Sequence, residues 1–217
     1  MKQMLTKTIS LKFSFIITLL ALWSCSGGGS THENEQVSEI PAEQSTAAVT
    51  KSYYITNSEN VSMAEITGSG GELTINMQTG TLFGVMKSED KRKYYDQNDQ
   101  FRYAVKFKDD AFKLRNANEE LIWKVKIKDG KIKIANNEEM TAAYEIHRYD
   151  DGRIKLKQND NEISSIRYEQ GSPRVEVQGK YFLRNFEDSY APGVLLIPEI
   201  SEVEKFIICA ELAVQGK

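Results

Sequence analysis

The sequence predicts a mainly β domain, in which an antiparallel meander closes into a barrel or barrel-like sheet and one apolar helix lies at the C-terminus. Three observations support this fold class. Short runs of alternating apolar and polar residues are separated by Gly, Asn and Asp, as in β-hairpins. A hairpin pattern recurs three times between Phe101 and Tyr168. The last apolar segment changes to helical spacing, so a helix is expected after the strands.

The composition fits one globular domain with an N-terminal extension. Of the 217 residues, 40% are hydrophobic and 27% are charged, which excludes collagen, a coiled coil and a fully disordered chain. A chain of this length is expected to form one domain with a tail. The two Cys and two His are too few for a disulfide framework or a multi-Cys zinc site. The mean hydropathy of -0.47 argues against a polytopic membrane protein.

Residues 1–24 are predicted to be a signal peptide and not part of the fold. Lys2, Lys7 and Lys12 precede the apolar run 13–23. That run has 11 residues, whereas a membrane-spanning helix needs ~20, and a basic start before a short apolar run is typical of a signal peptide.

The segment that ends this run, Leu22-Trp23-Ser24-Cys25, resembles the lipobox of bacterial lipoproteins. The resemblance implies that Cys25 is lipidated, with palmitate among the acyl chains, and that it anchors the mature chain in a membrane. Ser26 rather than Asp follows the Cys, which resembles many outer-membrane lipoproteins and implies export to the bacterial cell envelope. The alternative is an ordinary secretory signal with an incidental Cys.

Residues 25–50 are predicted to be a disordered tether between the lipid and the domain. The segment from Ser26 to Thr50 contains no aromatic residue and is rich in Ser, Thr, Glu and Gly, a composition that cannot bury enough apolar surface to offset chain entropy. Flexible-chain scaling gives this tether an r.m.s. span of roughly 28 Å. A single folded domain is then expected at 51–217, close to the membrane.

The domain is predicted to begin with strands. Tyr53–Ile55, Glu72–Met77 and Thr81–Met86 are separated by segments that contain Gly or Asn, as strands of a hairpin are. The charged stretch Lys87–Gln100 shows neither the strand period nor the helix period. It is therefore predicted to be a long loop.

A repeated hairpin is the most informative feature of the domain. Each copy has an Asp-Asp or Asp-Gly turn, a strand with the pattern apolar-Lys-apolar, and a turn rich in Asn and Glu. The patterned strands of the three copies begin at Phe112, Ile132 and Ile154, which are 20 and then 22 residues apart. The copies predict an antiparallel meander; a solenoid is the alternative, and three short copies are too few for a propeller.

The register of each hairpin follows from placing apolar residues opposite one another. In the first two copies, two-residue turns at Asp109-Asp110 and Asp129-Gly130 place apolar residues opposite one another. In the third copy, a three-residue loop 150–152 with Gly152 in the left-handed conformation is needed. The predicted pairs are Val105 with Leu114, Phe107 with Phe112, Val125 with Ile134, Ile127 with Ile132, Ile146 with Leu156, and Glu145 with Lys157.

This register also places lysines opposite lysines on the outer face of the sheet. The pairs are Lys106 with Lys113, Lys126 with Lys133, and Lys128 with Lys131. Like charges that face each other destabilise a sheet. Residues 101–135 contain ten basic and five acidic residues, whereas the chain without residues 1–24 carries 25 basic and 31 acidic residues, a net charge of -6. One face is therefore basic on an acidic protein.

The basic face predicts an anion-binding surface made of these six lysines, with anionic lipid or an envelope polymer as the partner. The alternative is a solvated face that protects the sheet from aggregation. Because the chain as a whole is acidic, no nucleic-acid partner is expected.

No catalytic or metal-binding motif is recognisable in the sequence. It lacks a Gly-x-Ser-x-Gly elbow, an HExxH helix and a phosphate loop. His32 lies in the tether and His147 lies on the outer face beside Lys155, and neither has a second ligand at metal-site spacing. Cys209 has apolar neighbours and is expected to be buried. No metal, no cofactor and no enzymatic activity are therefore expected.

The C-terminal segment is predicted to be a helix at about 199–214. Pro198 and the acids Glu199, Glu202 and Glu204 suit a first helical turn. Apolar residues then occupy nearly all sides, so the helix must be enclosed, and at about 24 Å it is too short to cross a membrane. Val194–Ile197 is predicted to be a short strand.

Meandering strands followed by an apolar helix resemble the tubby-like group of folds, which includes the LURP-one-related and phospholipid-scramblase proteins. The segments that carry the resemblance are Tyr103–Lys113, Trp123–Ile134, Tyr144–Lys157 and Gly193–Val214. It implies a barrel that encloses the C-terminal helix and an association with membrane lipid. The alternative is a lipocalin-like barrel with the helix packed outside and a cavity within.

The sequence thus predicts a membrane-anchored lipoprotein with a non-catalytic binding or scaffolding domain. Its candidate ligand-binding residues are Lys106, Lys113, Lys126, Lys128, Lys131 and Lys133, and its candidate lipidation site is Cys25. The first alternative is a barrel that binds a small apolar ligand. The second is an enzyme whose site is assembled from distant residues.

Overall fold

One antiparallel sheet dominates the computed structural model, which describes residues 51–217 apart from Gly70, Asp129, Gln170 and Glu187. Within these described residues the sheet has fourteen strands. They are β1 (Lys51–Thr56), β2 (Ser62–Gly68), β3 (Glu72–Met77), β4 (Gly80–Ser88), β5 (Lys91–Asp96), β6 (Phe101–Lys108), β7 (Ala111–Asn116), β8 (Leu121–Lys128), β9 (Lys131–Ala135), β10 (Tyr144–Arg148), β11 (Arg153–Gln158), β12 (Asn161–Arg167), β13 (Arg174–Val177) and β14 (Tyr181–Arg184). The signal peptide 1–24 and the tether 25–50, with Cys25 and His32, lie outside the described residues.

The strands form a meander that curls into a nearly closed barrel. Consecutive strands from β1 to β12 pair with each other, and β14 pairs with both β13 and β1. The two ends of the sheet are β12 and β13. They approach each other where Gln178 Nε2 donates a hydrogen bond to Ser164 Oγ at 2.6 Å. The predicted fold class, a mainly β meander with barrel closure, is confirmed.

The predicted hairpin registers are confirmed. The observed pairs include Phe107 with Phe112, Ile127 with Ile132, and Ile146 with Leu156. The loop 150–152 is closed by a hydrogen bond from Tyr149 N to Arg153 O at 2.9 Å. Gly152 within it has φ +78°, the left-handed conformation that the extra residue requires. The other three predicted pairs are also observed: Val105 with Leu114, Val125 with Ile134, and Glu145 with Lys157.

The prediction of a long loop at Lys87–Gln100 is wrong, because β5 occupies its centre. Arg92 and Tyr94 point into the barrel and are buried, whereas Lys91 and Lys93 point outwards. The strand was missed because its inward residues are polar or amphipathic, so hydrophobicity does not alternate along it. The strand β2 was also absent from the prediction.

The predicted strand at Val194–Ile197 is wrong as well. A short helix, α1 (Ala191–Leu195), occupies this region, with Pro192 at its first turn. All five of its residues are buried. A short run that is apolar on every side shows no period that would separate a strand from a helix.

A second helix, α2 (Glu202–Val214), lies inside the barrel. Its start is fixed by Ser201, whose backbone N donates to Glu204 Oε2 at 3.3 Å, as in a capping box. The nine consecutive residues from Lys205 to Ala213 are buried, so every face of the helix is covered. The predicted enclosure is confirmed, and α2 fills the space in which the lipocalin-like alternative places a cavity.

Strands from different sides of the barrel hold α2. The Tyr53 hydroxyl on β1 donates to Ala213 O at 3.2 Å, and Trp123 Nε1 on β8 donates to Glu204 Oε2 at 2.8 Å. Among the described residues, no helix has the length and apolar character that crossing a membrane would require.

Candidate functional site

The six lysines predicted from the hairpin register lie on the outer face of β6 to β9, and all of them line one groove of about 1050 Å³. We call it the basic groove. The described residues that line the groove also include three further basic residues, Lys108, Arg115 and Lys124. Four acidic residues line it as well: Asp109, Asp110, Glu138 and Glu139. Nine basic against four acidic side chains among the described residues give a formal charge of +5.

The basic residues form rows that run across the strands. In one row, direct cross-strand neighbours are Lys91 on β5, Lys106 on β6, Lys113 on β7 and Lys124 on β8. The predicted pairs of Lys126 with Lys133 and of Lys128 with Lys131 are confirmed. Such like-charged neighbours weaken a sheet, so the contacts between lysines do not themselves stabilise the fold.

Glu138 offsets part of the positive charge. The Lys113 ammonium group donates to Glu138 Oε1 at 2.8 Å, and Arg115 Nη2 and Lys124 Nζ lie 3.7 and 3.5 Å from its carboxylate oxygens. The hydrogen bond from Lys113 holds the pKa of Glu138 below its ordinary value. Glu138 lies in the loop after β9, which the repeat predicted as a turn but not as a partner of the lysines.

Glu145 on β10 offsets a second part of the charge. Its carboxylate pairs with Lys133, and Lys131 Nζ donates to its Oε2 at 3.0 Å. His147 Nε2 lies 3.1 Å from the same oxygen. The hydrogen bond from Lys133 is the main reason that the pKa of Glu145 is lowered to about 2. His147 lies on the outer face opposite Lys155, as predicted.

Three lysines of the groove remain available to a ligand. Lys106, Lys108 and Lys126 are exposed, and none of their ammonium groups makes a hydrogen bond or an ion pair with another described residue. An anion that reaches them would not have to break a hydrogen bond or ion pair within the described chain, although a hydrogen bond from Ser88 and the charge of Lys106 both contribute to the lowered pKa of Asp90. The groove can therefore bind anions by direct contact with these three groups.

A second cluster of charge lies inside the barrel. Arg92 on β5 forms a hydrogen-bonded ion pair with Glu211 on α2, and the Tyr94 hydroxyl donates to Glu211 Oε1 at 2.7 Å. The exposed fractions are 2% for Arg92 and 0% for both Tyr94 and Glu211. Burial raises the pKa of Glu211, and the facing guanidinium and hydroxyl groups act in the opposite direction.

Sequence reasoning missed this interior cluster because β5 was predicted to be a loop. A signal was present in the helix, since Glu211 lies among apolar residues that must be enclosed. A buried carboxylate requires a partner, and Arg92 and Tyr94, two residues apart, could share one inward face of a strand. The cluster joins the helix to the wall of the barrel.

The last of the described residues singled out from the sequence is Cys209. Cys209 is fully buried, as predicted, with its Sγ 3.7 Å from Ala191 O. Burial raises the pKa of its thiol, which opposes nucleophilic reactivity. Across 51–217, omitting the four undescribed positions, no group of three or more His, Cys, Asp or Glu residues is placed to hold a metal ion.

Comparison with models of protein families, with curated proteins and with solved structures finds no significant match for this chain.

Proposed function

We propose that this chain is a membrane-anchored lipoprotein whose barrel is a non-catalytic binding or scaffolding domain, and that the basic groove binds an anionic component of the cell envelope. The lipobox resemblance at Cys25 supports the anchor. The single observation that carries the binding function is the clustering of nine basic side chains in one concavity, on a chain whose formal net charge is -3. Three of these lysines are exposed and unpaired among the described residues.

The physical basis of this binding is electrostatic. A concave surface of one sign focuses the field and raises the local concentration of counter-ions. Exposed charges are screened by salt, with a Debye length of about 10 Å at 0.1 M. We therefore expect affinity for anions that falls as the ionic strength rises.

The helix inside the barrel argues against an internal ligand and so favours binding at the outer surface. An apolar ligand would need the space that α2 occupies, and nine consecutive residues of that helix are already buried there. The enclosed helix is also the arrangement that the tubby-like resemblance implies, and the lipid association of that group fits an anionic headgroup as one possible ligand. A small apolar ligand inside the barrel is thus the weaker candidate.

Vesicle co-sedimentation of residues 51–217 tests the proposed function. Neutral and anionic phospholipid vesicles are compared at low and high salt, with wild-type domain and a variant in which Lys106, Lys113, Lys126 and Lys133 are each changed to Glu. We expect binding to anionic vesicles only, with loss of binding in high salt and in the variant. Equal binding of the variant would overturn the assignment of the groove.

A further inference from the structure

We propose that the ligand of the basic groove is a linear acidic polysaccharide that lies across β6 to β9. This inference rests on the anion-binding function proposed above and specifies the ligand. Three features of the groove carry it: the alignment of the lysines, the shape of the floor and the sign of the charges at the two ends.

The lysines are aligned as a chain of repeated anionic groups would require. Lys106, Lys113 and Lys124 in the groove are successive cross-strand neighbours, and Lys91 extends this row outside it. Lys91 pairs with Glu119, and Lys113 and Lys124 share Glu138, so a polyanion would compete with these two carboxylates for the row. Because neighbouring strands lie about 4.8 Å apart, the four positions span about 14 Å. A single headgroup meets one or two of these ammonium groups, whereas a polymer that runs across the strands meets them in succession.

A short side chain lies between two of the unpaired lysines of the groove. Ala111 on β7 is the direct neighbour of Lys108 on one side and of Lys126 on the other. Its methyl group leaves a depression between two long side chains. Lys108 and Lys126 are both exposed, with no hydrogen bond or ion pair to the rest of the described chain. A narrow chain that crosses the strands over Ala111 therefore meets Lys108 before it and Lys126 after it.

The two ends of the groove are acidic. Asp109 and Asp110 form the turn after β6, and Glu138 and Glu139 lie in the loop after β9. Since β6 and β9 are antiparallel, these segments lie at opposite ends of the strands. A flat anionic membrane would approach both acidic ends, whereas a thin polymer can lie between them. This placement favours a polysaccharide over a membrane surface.

The basic surface also continues beyond the groove. A second concavity of about 650 Å³ shares Lys126, Lys128 and Asp110 with the groove and adds Arg148 and Lys217. Arg148 pairs there with the exposed Asp188.

The test uses the full chain in a neutral detergent and three soluble probes. These are polygalacturonate, the galacturonate monomer at equal carboxylate concentration, and a short-chain phosphatidylglycerol that presents one lipid headgroup. Affinities are measured by calorimetry at low and high salt. We expect polygalacturonate to bind more tightly per carboxylate than the monomer and more tightly than the lipid.

Two variants separate shape from charge. Ala111→Gln fills the floor without changing the charge, so it should weaken polygalacturonate binding and leave monomer binding unchanged. Lys126→Gln should weaken binding of every probe, by up to about fivefold, the upper range for one solvated charge contact. Lys157→Gln removes the same charge from β11, outside the groove, and is the matched control that should change little.

The outcomes separate a failure of the polysaccharide proposal from a failure of the anion-binding function. If the monomer or the lipid binds as tightly per charge as the polymer, or if Ala111→Gln has no effect, the polysaccharide is the wrong ligand, while a loss with Lys126→Gln keeps the anion site. If no probe binds, both the polysaccharide and the anion-binding function are overturned.

Discussion

Lys91 and Arg92 are neighbours on β5, yet one side chain lies on the outer face of the sheet and the other inside the barrel. These two regions differ in how charged side chains are paired. Arg92 points inwards and is matched by Glu211 and Tyr94, with an exposed fraction of 2%. Lys91 points outwards, pairs with Glu119 at the surface and begins a row of like charges that continues through Lys106 and Lys113. A buried charge must be paired because it has lost its water. An exposed charge keeps its water, so an excess of one sign can accumulate there for a ligand.

The interior cluster should show the largest effect of a single substitution. Glu211→Ala leaves the Arg92 guanidinium buried without its carboxylate, which we expect to lower the free energy of unfolding by about 3–5 kcal/mol. Urea denaturation measures this loss. A double variant, R92M with E211L, should recover much of it, because apolar side chains of similar volume often replace a buried ion pair without loss. A loss below about 1 kcal/mol in Glu211→Ala would show that the pair is not needed.

The interior and the surface should also differ in how they tolerate a larger uncharged side chain. A Cβ at Gly193 on α1 would lie 2.3 Å from Ile146 Cγ2, so Gly193→Ala should cost about 1–3 kcal/mol through overpacking. Gly71 is the matched control, because a Cβ there would meet nothing within 4 Å. Thermal unfolding of both variants should show a lower Tm for Gly193→Ala alone. Equal Tm values would mean that α1 is less tightly packed on β10 than the contact indicates.

On the outer side, the sharpest effect is expected on binding. Glu138→Gln removes the carboxylate that Lys113, Arg115 and Lys124 share. These three cations then become available, so affinity for an anionic polymer should rise by about two- to fivefold. Glu162→Gln is the control, since Glu162 pairs with Lys155 outside the groove. Calorimetric titration measures the change, and a fall in affinity would contradict the account.

The smallest effect concerns pH. The pKa of Glu145 is lowered from 4.5 to about 2, chiefly by the hydrogen bond from Lys133. A lowered carboxyl pKa contributes stability above pH 4.5 that is lost as the pH falls towards 2. For a solvated pair we expect about 0.5 kcal/mol. Urea denaturation at pH 6 and pH 3 should show a smaller pH dependence for Glu145→Gln than for the wild type; an unchanged dependence would contradict this role.

The two regions also differ in how far the sequence predicts them. The outer lysines follow from alternation, since a register that pairs Phe107 with Phe112 must place Lys106 opposite Lys113. Interior polar residues break that alternation. Arg92 and Tyr94 face inwards without being aliphatic, so β5 was predicted to be a loop. Their partner Glu211 is 119 residues away from Arg92 in the chain, and no local period encodes such a contact.

The hairpin pattern also could not predict which acidic side chains pair with the lysines of the groove. Glu138 reaches Lys113 from a loop that follows a different strand, 25 residues along the chain. The hairpin register fixes positions within strands and leaves loop conformations open. The same reason explains α1, where a fully apolar run carries no period. The sequence thus predicts the positions of the basic side chains better than it predicts which of them are neutralised.

The central claim is that the outer lysines serve binding and not folding, and one paired measurement tests it most directly. The free energy of unfolding and the salt-dependent affinity for polygalacturonate are measured on the same preparations of wild type and the double variant K106Q/K126Q. The account predicts weaker binding with a shallower salt dependence, and a stability that is unchanged or higher because like-charged neighbours are removed. A loss of stability with unchanged affinity would contradict it.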